Sequence, residues 1–191
     1  MGLDMYLGAK KRLNKKSKID RQYIQYFNTL SESIYDKEDN GYAYISEYFN
    51  TKDIHAHLAT LPKLRGQVGS INRIKPDGDS YIVVTEAGYW RKANQVHNWF
   101  VKNVQDGVDN CGTYNVSRET LSQLLDDCNK VVNESCDPAD VLPSVDGFFF
   151  GGTDYDEWYY EDVANTVQKL EPMVDEYCHG TSYGLYYCSS W

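Results

Sequence analysis

Alternation of apolar and polar positions, together with β-branched and aromatic content, predicts strands at both ends of the chain and in its middle. Residues 3–9 alternate, residues 80–87 are rich in β-branched side chains, and 112–116 and the Tyr-rich 182–191 fit further short strands. Because each segment is short, we expect a small sheet of about four strands.

Apolar residues at helical spacing predict helices between these strands. A period near 3.6 with start or stop signals occurs in five segments: 17–36, 51–61, 88–105, 118–132 and 154–170. Ser117 is predicted to cap the fourth helix, and Asp154 with Glu157 resembles a capping box for the fifth.

Glycine and proline mark the remaining stretches as loops. Residues 65–80 form the most loop-like segment, and 147–152 (GFFFGG) fit a short buried strand or a turn. The pattern therefore predicts one α+β domain over 1–191, with a mixed or antiparallel sheet of about four strands and four to five helices.

The composition indicates a folded chain with polar aromatic surface. Of 191 residues, 41% are hydrophobic and 14% aromatic, and 17 are Tyr. Tyr offers contact area with a polar end, which suits either binding surfaces or half-buried strand positions.

The formal charge of -9 disfavours a direct nucleic-acid binder, because phosphate backbones are bound mainly by Lys and Arg. The charge is unevenly distributed: residues 10–21 hold seven cations, and residues 134–176 hold twelve acids and one cation. This polarity predicts a solvated surface, or head-to-tail association of copies, or an acidic face for a basic partner.

Cysteine usage and hydropathy predict a cytoplasmic protein. Five Cys without a CxxC pair fit free thiols in a reducing compartment. No segment approaches the 18 apolar residues of a membrane span, and no secretory leader is evident.

The stretch GYWRKANQVHNWF (88–100) carries the main binding hypothesis. If a helix begins near Gly88, its free N–H groups and two cations among aromatics would suit an anion, in particular the phosphate of a nucleotide. If it begins at Thr85, Arg91 needs only Glu86 as a partner. The predicted ligand-binding residues are Tyr89, Trp90, Arg91, Lys92, Asn94 and Asn98.

His97 lies on the apolar face of the same helix. It fits a buried neutral histidine or, since histidine side chains in general exchange protons near neutral pH, a catalytic acid or base. In the catalytic alternative, Asp106 or Asp109 would position His97 or hold a metal. A turn that uses these acids for local hydrogen bonds explains them better.

No metal site or cofactor is predicted. The acids around the start of the fifth helix fit a face stabilised by the helix dipole better than a metal site at Glu157 and Glu161. Common phosphate-loop, dinucleotide, zinc-protease and serine-hydrolase motifs do not occur in the sequence.

Several segments resemble a family of small acidic proteins encoded by phages and prophages. The similarity lies in the opening MGLDMYLGAKK, in YWRKAN and HNWFV, in GFFFG and in the terminal SSW. Residues 14–80 match less well and are predicted to be a variable insertion. The resemblance implies action in the host-cell cytoplasm as an accessory that disarms or redirects host systems, and so favours binding over catalysis.

Together these observations predict a counter-defence or accessory protein that acts by binding. Its partner would be a small anionic, nucleotide-like ligand that it sequesters, or a host protein that it blocks. The alternatives are a small nucleotide hydrolase or transferase that uses His97 with Asp106 or Asp109, and an acidic mimic of DNA.

Overall fold

A computed structural model describes residues 2–30, 43–45, 51–147, 150–178 and 183–191. Its strands are β1 (Asp4–Arg12), β2 (Ala43–Tyr44), β3 (Ile71–Asp77), β4 (Ser80–Arg91), β5 (Thr113–Val116) and β6 (Tyr183–Ser190). Its helices are α1 (Lys18–Thr29), α2 (Thr51–Thr60), α3 (Asn94–Val104), α4 (Arg118–Val132), α5 (Pro138–Val141) and α6 (Glu157–Cys178).

The strands form one sheet in the order β2-β3-β4-β1-β6-β5. The pairs β2–β3, β3–β4 and β5–β6 are antiparallel. The α+β class is confirmed. The strand and helix counts were too low, because the described residues form five longer strands, the two-residue β2 and six helices.

The chain packs as two compact units. Unit 1 comprises Met1–Gly8, Ala87–His179 and Leu185–Trp191, and unit 2 comprises Ala9–Glu86 and Gly180–Gly184. The predicted insertion at 14–80 falls inside unit 2. That it is an insertion into a single domain over 1–191 stays a prediction.

Unit 2 has its own hydrophobic core between α1, α2 and the strands. Its fully buried members are Leu13, Phe27, Ile45, Leu64, Ile74 and Val83. Beside this core, Lys11 pairs with Asp20 at 3.3 Å, and both side chains are at most 5% exposed. Ser17 caps α1 by accepting from the Asp20 N–H.

The loop predicted over 65–80 is wrong for residues 71–77, which form β3. Ile71 and Ile74 are buried on this strand. Pro76 is tolerated because, among the described residues, β2 pairs with β3 only at Arg73 and Ile74. The glycine that suggested a loop makes the turn instead: Gly78, at φ +61°, lies between the paired ends of β3 and β4.

The helix predicted over 88–105 begins too early. β4 runs to Arg91 and α3 starts only at Asn94. Residues 88–91 alternate as a strand does, with Gly88 and Trp90 buried and Tyr89 and Arg91 exposed. Arg91 and Lys92 therefore precede the helix, so neither of the two predicted helix starts, Thr85 or Gly88, applies.

Unit 1 packs α4 against α6. Ser117 caps α4 as predicted, since its side chain accepts from the Thr120 N–H. The cap of α6 differs from the prediction, because Asp156 rather than Asp154 accepts from the Tyr159 N–H. The helix also continues through Pro172 to Cys178.

Candidate functional site

The turn between β4 and α3 holds Lys92 in a backbone conformation that L-residues rarely adopt. Its φ is +60°. The Lys92 N–H donates to the Leu3 carbonyl at 2.8 Å, and its carbonyl accepts from the Asn94 N–H at 2.8 Å. Such a conformation costs about 1–2 kcal/mol and persists only where neighbouring contacts impose it, which is common at binding sites.

Asn94 joins this turn to the segment that precedes α6. Its side-chain oxygen accepts from the Val145 N–H at 3.0 Å, and its amide donates to the carbonyls of Phe150 (3.3 Å) and Gly152 (2.7 Å). The residue is buried. Asn94, a predicted ligand contact, therefore uses its side-chain hydrogen bonds to hold Val145, Phe150 and Gly152 in place.

Three other predicted ligand residues also have internal partners. Asn98 donates to the Pro143 carbonyl at 3.0 Å. The indole N–H of Trp90 donates to Thr166 at 2.9 Å, and this ring is 4% exposed. Tyr89 donates its hydroxyl hydrogen to Asp4, which raises the pKa of Tyr89. These contacts hold the surrounding structure together, and they leave these three side chains few hydrogen-bonding groups for a ligand.

Arg91 and Lys92 are different, because both are exposed and neither forms an ion pair with another described residue. They line a cavity of about 390 Å³ in unit 1. This volume falls within the range of about 300–1,000 Å³ usual for small-molecule sites. Gly151 closes on the turn so tightly that an added Cβ would lie 3.3 Å from the Lys92 carbonyl oxygen.

Carboxylates line the same cavity, and the sequence interpretation did not assign them to the site. Asp154, Asp156 and Asp162 contribute, together with the side chain of Trp158. Trp158 is 73% exposed. Sequence spacing could not show that residues 91–92 and 154–162 line the same cavity, because some 60 residues separate the two segments. The only available signals were the acidic run and its aromatic neighbours.

The first turn of α3 also borders the cavity. Its N-cap residue is Ala93, which provides no side-chain hydrogen bond, and the first turn contains no acid. Asn94 and Gln95 from this turn line the cavity. An uncapped helix start favours negative charge by about 0.3–1 kcal/mol, which adds to the effect of the two cations.

His97 belongs to a separate buried network in unit 1. Its Nδ1 lies 2.7 Å from the Tyr187 hydroxyl, and its Nε2 lies 3.0 Å from an Asp109 carboxylate oxygen. The other Asp109 oxygen accepts from the indole N–H of Trp191 at 3.2 Å. His97 is 1% exposed, and burial raises the pKa of Tyr187.

The structure thus brings Asp109, and not Asp106, to His97. Asp106 is exposed in the turn after α3, with a φ of +52°. His97 has both ring nitrogens engaged and does not line the cavity at Arg91. This arrangement is the one expected of a histidine with a structural role.

Within the described residues, no group of three or more His, Cys, Asp or Glu side chains is placed to hold a metal ion. The described helices likewise include none with the length and apolar character needed to cross a membrane. Comparisons with protein families, curated proteins and solved structures gave no match to this chain.

Proposed function

We propose that this protein is a non-enzymatic binding protein that sequesters a small ligand through a phosphate-like group held by Arg91 and Lys92. The observation that carries the proposal is the pair of exposed cations, unpaired among the described residues, on the wall of a 390 Å³ cavity. Arg offers a planar fork for phosphate oxygens and Lys a point charge, so together they can hold one anionic group.

The setting of the cations supports a built site. Lys92 is held in its strained conformation by Leu3 and Asn94, and Asn94 fixes the adjoining segment through three hydrogen bonds. Ligand contacts held by a rigid frame lose less entropy on binding, which raises affinity. A counter-defence role in a host cell, by withdrawing a nucleotide-like signal, is consistent with such a site.

The test is to release and identify what the protein carries. Protein purified from cells supplied with candidate nucleotides is heated, and the supernatant is analysed by mass spectrometry. Intact nucleotide near one equivalent is expected, with a loss of about tenfold or more in the Arg91→Ala/Lys92→Ala variant. The matched variant Lys102→Ala removes an exposed cation from α3 outside the cavity lining and should retain the ligand.

A hydrolase or transferase that uses His97 is the second candidate, and it rests on the contact of His97 with Asp109. A substrate would have poor access to His97, because this side chain is 1% exposed and both of its ring nitrogens are hydrogen-bonded. Product accumulating beyond one equivalent in the same assay, and abolished by His97→Gln, would contradict sequestration and establish this alternative.

A further inference from the structure

The carboxylates of the cavity restrict the kind of ligand that Arg91 and Lys92 can hold. An ionised carboxylate only accepts hydrogen bonds. None of Asp154, Asp156 and Asp162 forms an ion pair within the described part of the chain. A purely anionic ligand would meet repulsion here, so the ligand must also carry N–H or O–H donors.

Asp162 is the best placed of these acceptors, because it is partly buried whereas Asp154 and Asp156 are exposed. It lies in the second turn of α6 and lines the cavity, and burial raises the pKa of its carboxyl group. The buried Gln95 lines the same cavity, and its amide donates to the Tyr159 carbonyl at 3.5 Å. A partly buried carboxylate is stable only with donors around it, and a ligand with N–H or O–H groups can supply them.

Trp158 supplies an aromatic surface beside these carboxylates. Trp158 is one of the residues that line the cavity, and it is the most exposed of the large hydrophobic residues described, at 73%. An indole face in water is well suited to stack on a flat ring, and stacking of a base on an aromatic side chain contributes about 1–3 kcal/mol. An aliphatic ligand would gain no such contact.

We propose that the second end of the ligand is a nucleobase with adjacent N–H donors, of the guanine type, which stacks on Trp158 and donates to Asp162. The inference rests on the proposed function, because Arg91 and Lys92 hold the phosphate of the same nucleotide. Guanine presents a ring N–H and an amino group side by side, which match the two oxygens of a carboxylate. Uracil presents one N–H between two carbonyl acceptors, and a carboxylate repels these.

The experiment titrates the full chain with guanosine monophosphate, uridine monophosphate and inorganic phosphate, by calorimetry and Trp fluorescence. We expect guanosine monophosphate to bind at least about tenfold more tightly than uridine monophosphate, the change that about 1.4 kcal/mol produces. Trp158→Ala should weaken both nucleotides about tenfold, remove the fluorescence change and leave phosphate binding unaltered.

Asp162→Asn should bring the two nucleotide affinities within about threefold of each other, because an amide can donate to a uracil carbonyl. Asp175→Asn, an exposed carboxylate further along α6, is the matched control and should keep the preference. Arg91→Ala should weaken both nucleotides equally and leave their ratio unchanged.

Two failures are distinguishable. Equal binding of both nucleotides, still lost in Arg91→Ala, would overturn the base assignment and leave the anion site standing. Binding of neither nucleotides nor phosphate would remove the proposed function and this inference together. Displacement of guanosine monophosphate by free arginine at lower concentration would also overturn the base assignment, since it would indicate a zwitterion site.

Discussion

The hydrogen bonds of His97 occupy both nitrogens of its ring. A carboxylate only accepts, so Nε2 supplies the hydrogen between the ring and Asp109; in the tautomer with hydrogen on Nε2 alone, Nδ1 is an acceptor and the Tyr187 hydroxyl donates to it. Each of the three side chains then has a hydrogen-bond partner. The buried network therefore gives His97 a role in stability.

Tyr187→Phe tests this explanation. The change leaves Nδ1 of a buried ring without a donor, so we expect the free energy of unfolding to fall by about 1–3 kcal/mol. Urea denaturation measures it, and Tyr155→Phe, on a residue 40% exposed, should change it by less than about 0.5 kcal/mol. Ligand affinity should be the same in Tyr187→Phe as in the wild type. A loss of affinity with unchanged stability would argue for a role of the network in binding.

Asn94 and Asn98 offer a graded comparison on one helix. Asn94 makes three hydrogen bonds to backbone groups of Val145, Phe150 and Gly152, and Asn98 makes one to Pro143. We expect Asn94→Ala to lower the free energy of unfolding by about 2–4 kcal/mol and Asn98→Ala by about 1 kcal/mol. Hydrogen exchange at the amides of 144–147 should quicken far more in Asn94→Ala. Equal effects of the two variants would show that Asn94 does not organise this segment.

Local patterns identified some of these residues and missed others for physical reasons. The 3.6 period placed His97 on an apolar face, and the turn QDGVDNCG after that helix brought both Asp106 and Asp109 into consideration. Tyr187 is 90 positions further along the chain, and Trp158 is on another helix. Contacts of this separation are set by sheet order and helix packing, which one sequence does not encode locally.

At the level of elements, the boundary between β4 and α3 shows how two periodicities compete. One helical face would contain Trp90, Ala93, Val96, His97 and Phe100. The alternation of residues 88–91 fits a strand equally well. The strand is formed because β1 supplies a hydrogen-bonding partner, as in the bond from the Lys92 N–H to the Leu3 carbonyl. The sequences of α4, β1 and β6 fit only one type of secondary structure, and the predictions for these elements were confirmed.

Two glycines, one in β1 and one in β6, test how closely these strands pack. A Cβ added to Gly8 would lie 2.1 Å from the ring of Tyr186, whereas one added to Gly184 would meet nothing within 4 Å. We expect Gly8→Ala to lower the free energy of unfolding by about 1–3 kcal/mol through overpacking. Gly184→Ala should be neutral or stabilise by up to about 1 kcal/mol, because glycine weakens a strand. Thermal and urea unfolding of the pair would measure both, and a tolerated Gly8→Ala would contradict this close contact.

At the level of the whole chain, the basic run of 10–21 is largely matched by neighbours within unit 2. Arg12 pairs with Asp77, Lys15 with Asp79, and Arg21 donates to backbone carbonyls. These contacts leave fewer free cations for the head-to-tail association that the charge distribution allowed. Association of copies and mimicry of DNA by the acidic residues of 134–176 both stay predictions.

The stability of the protein at high pH follows from three buried groups of unit 1. Burial raises the pKa of Cys128 to about 12 and also raises the pKa values of Tyr159 and Tyr187. Each group is neutral in both states at pH 7. In the unfolded chain Cys ionises from about pH 8.5 and Tyr from about pH 10, while in the folded protein they stay protonated to higher pH. The unfolded state therefore loses protons first, and stability falls as pH rises.

We expect the free energy of unfolding to be nearly constant from pH 7 to 8 and to fall increasingly steeply above pH 9. Each group contributes a slope of about 1.4 kcal/mol per pH unit, so the three together approach about 4 kcal/mol per unit above pH 10. Urea denaturation at pH 8, 9, 10 and 11 measures the slope, and Tyr187→Phe should reduce it by about 1.4 kcal/mol per pH unit above pH 10. Leu124→Ala, a buried substitution without a titrating group, should lower stability at every pH and keep the wild-type slope. A flat profile to pH 11 would mean that these groups are open to solvent, and the buried network around His97 would then lose its physical basis.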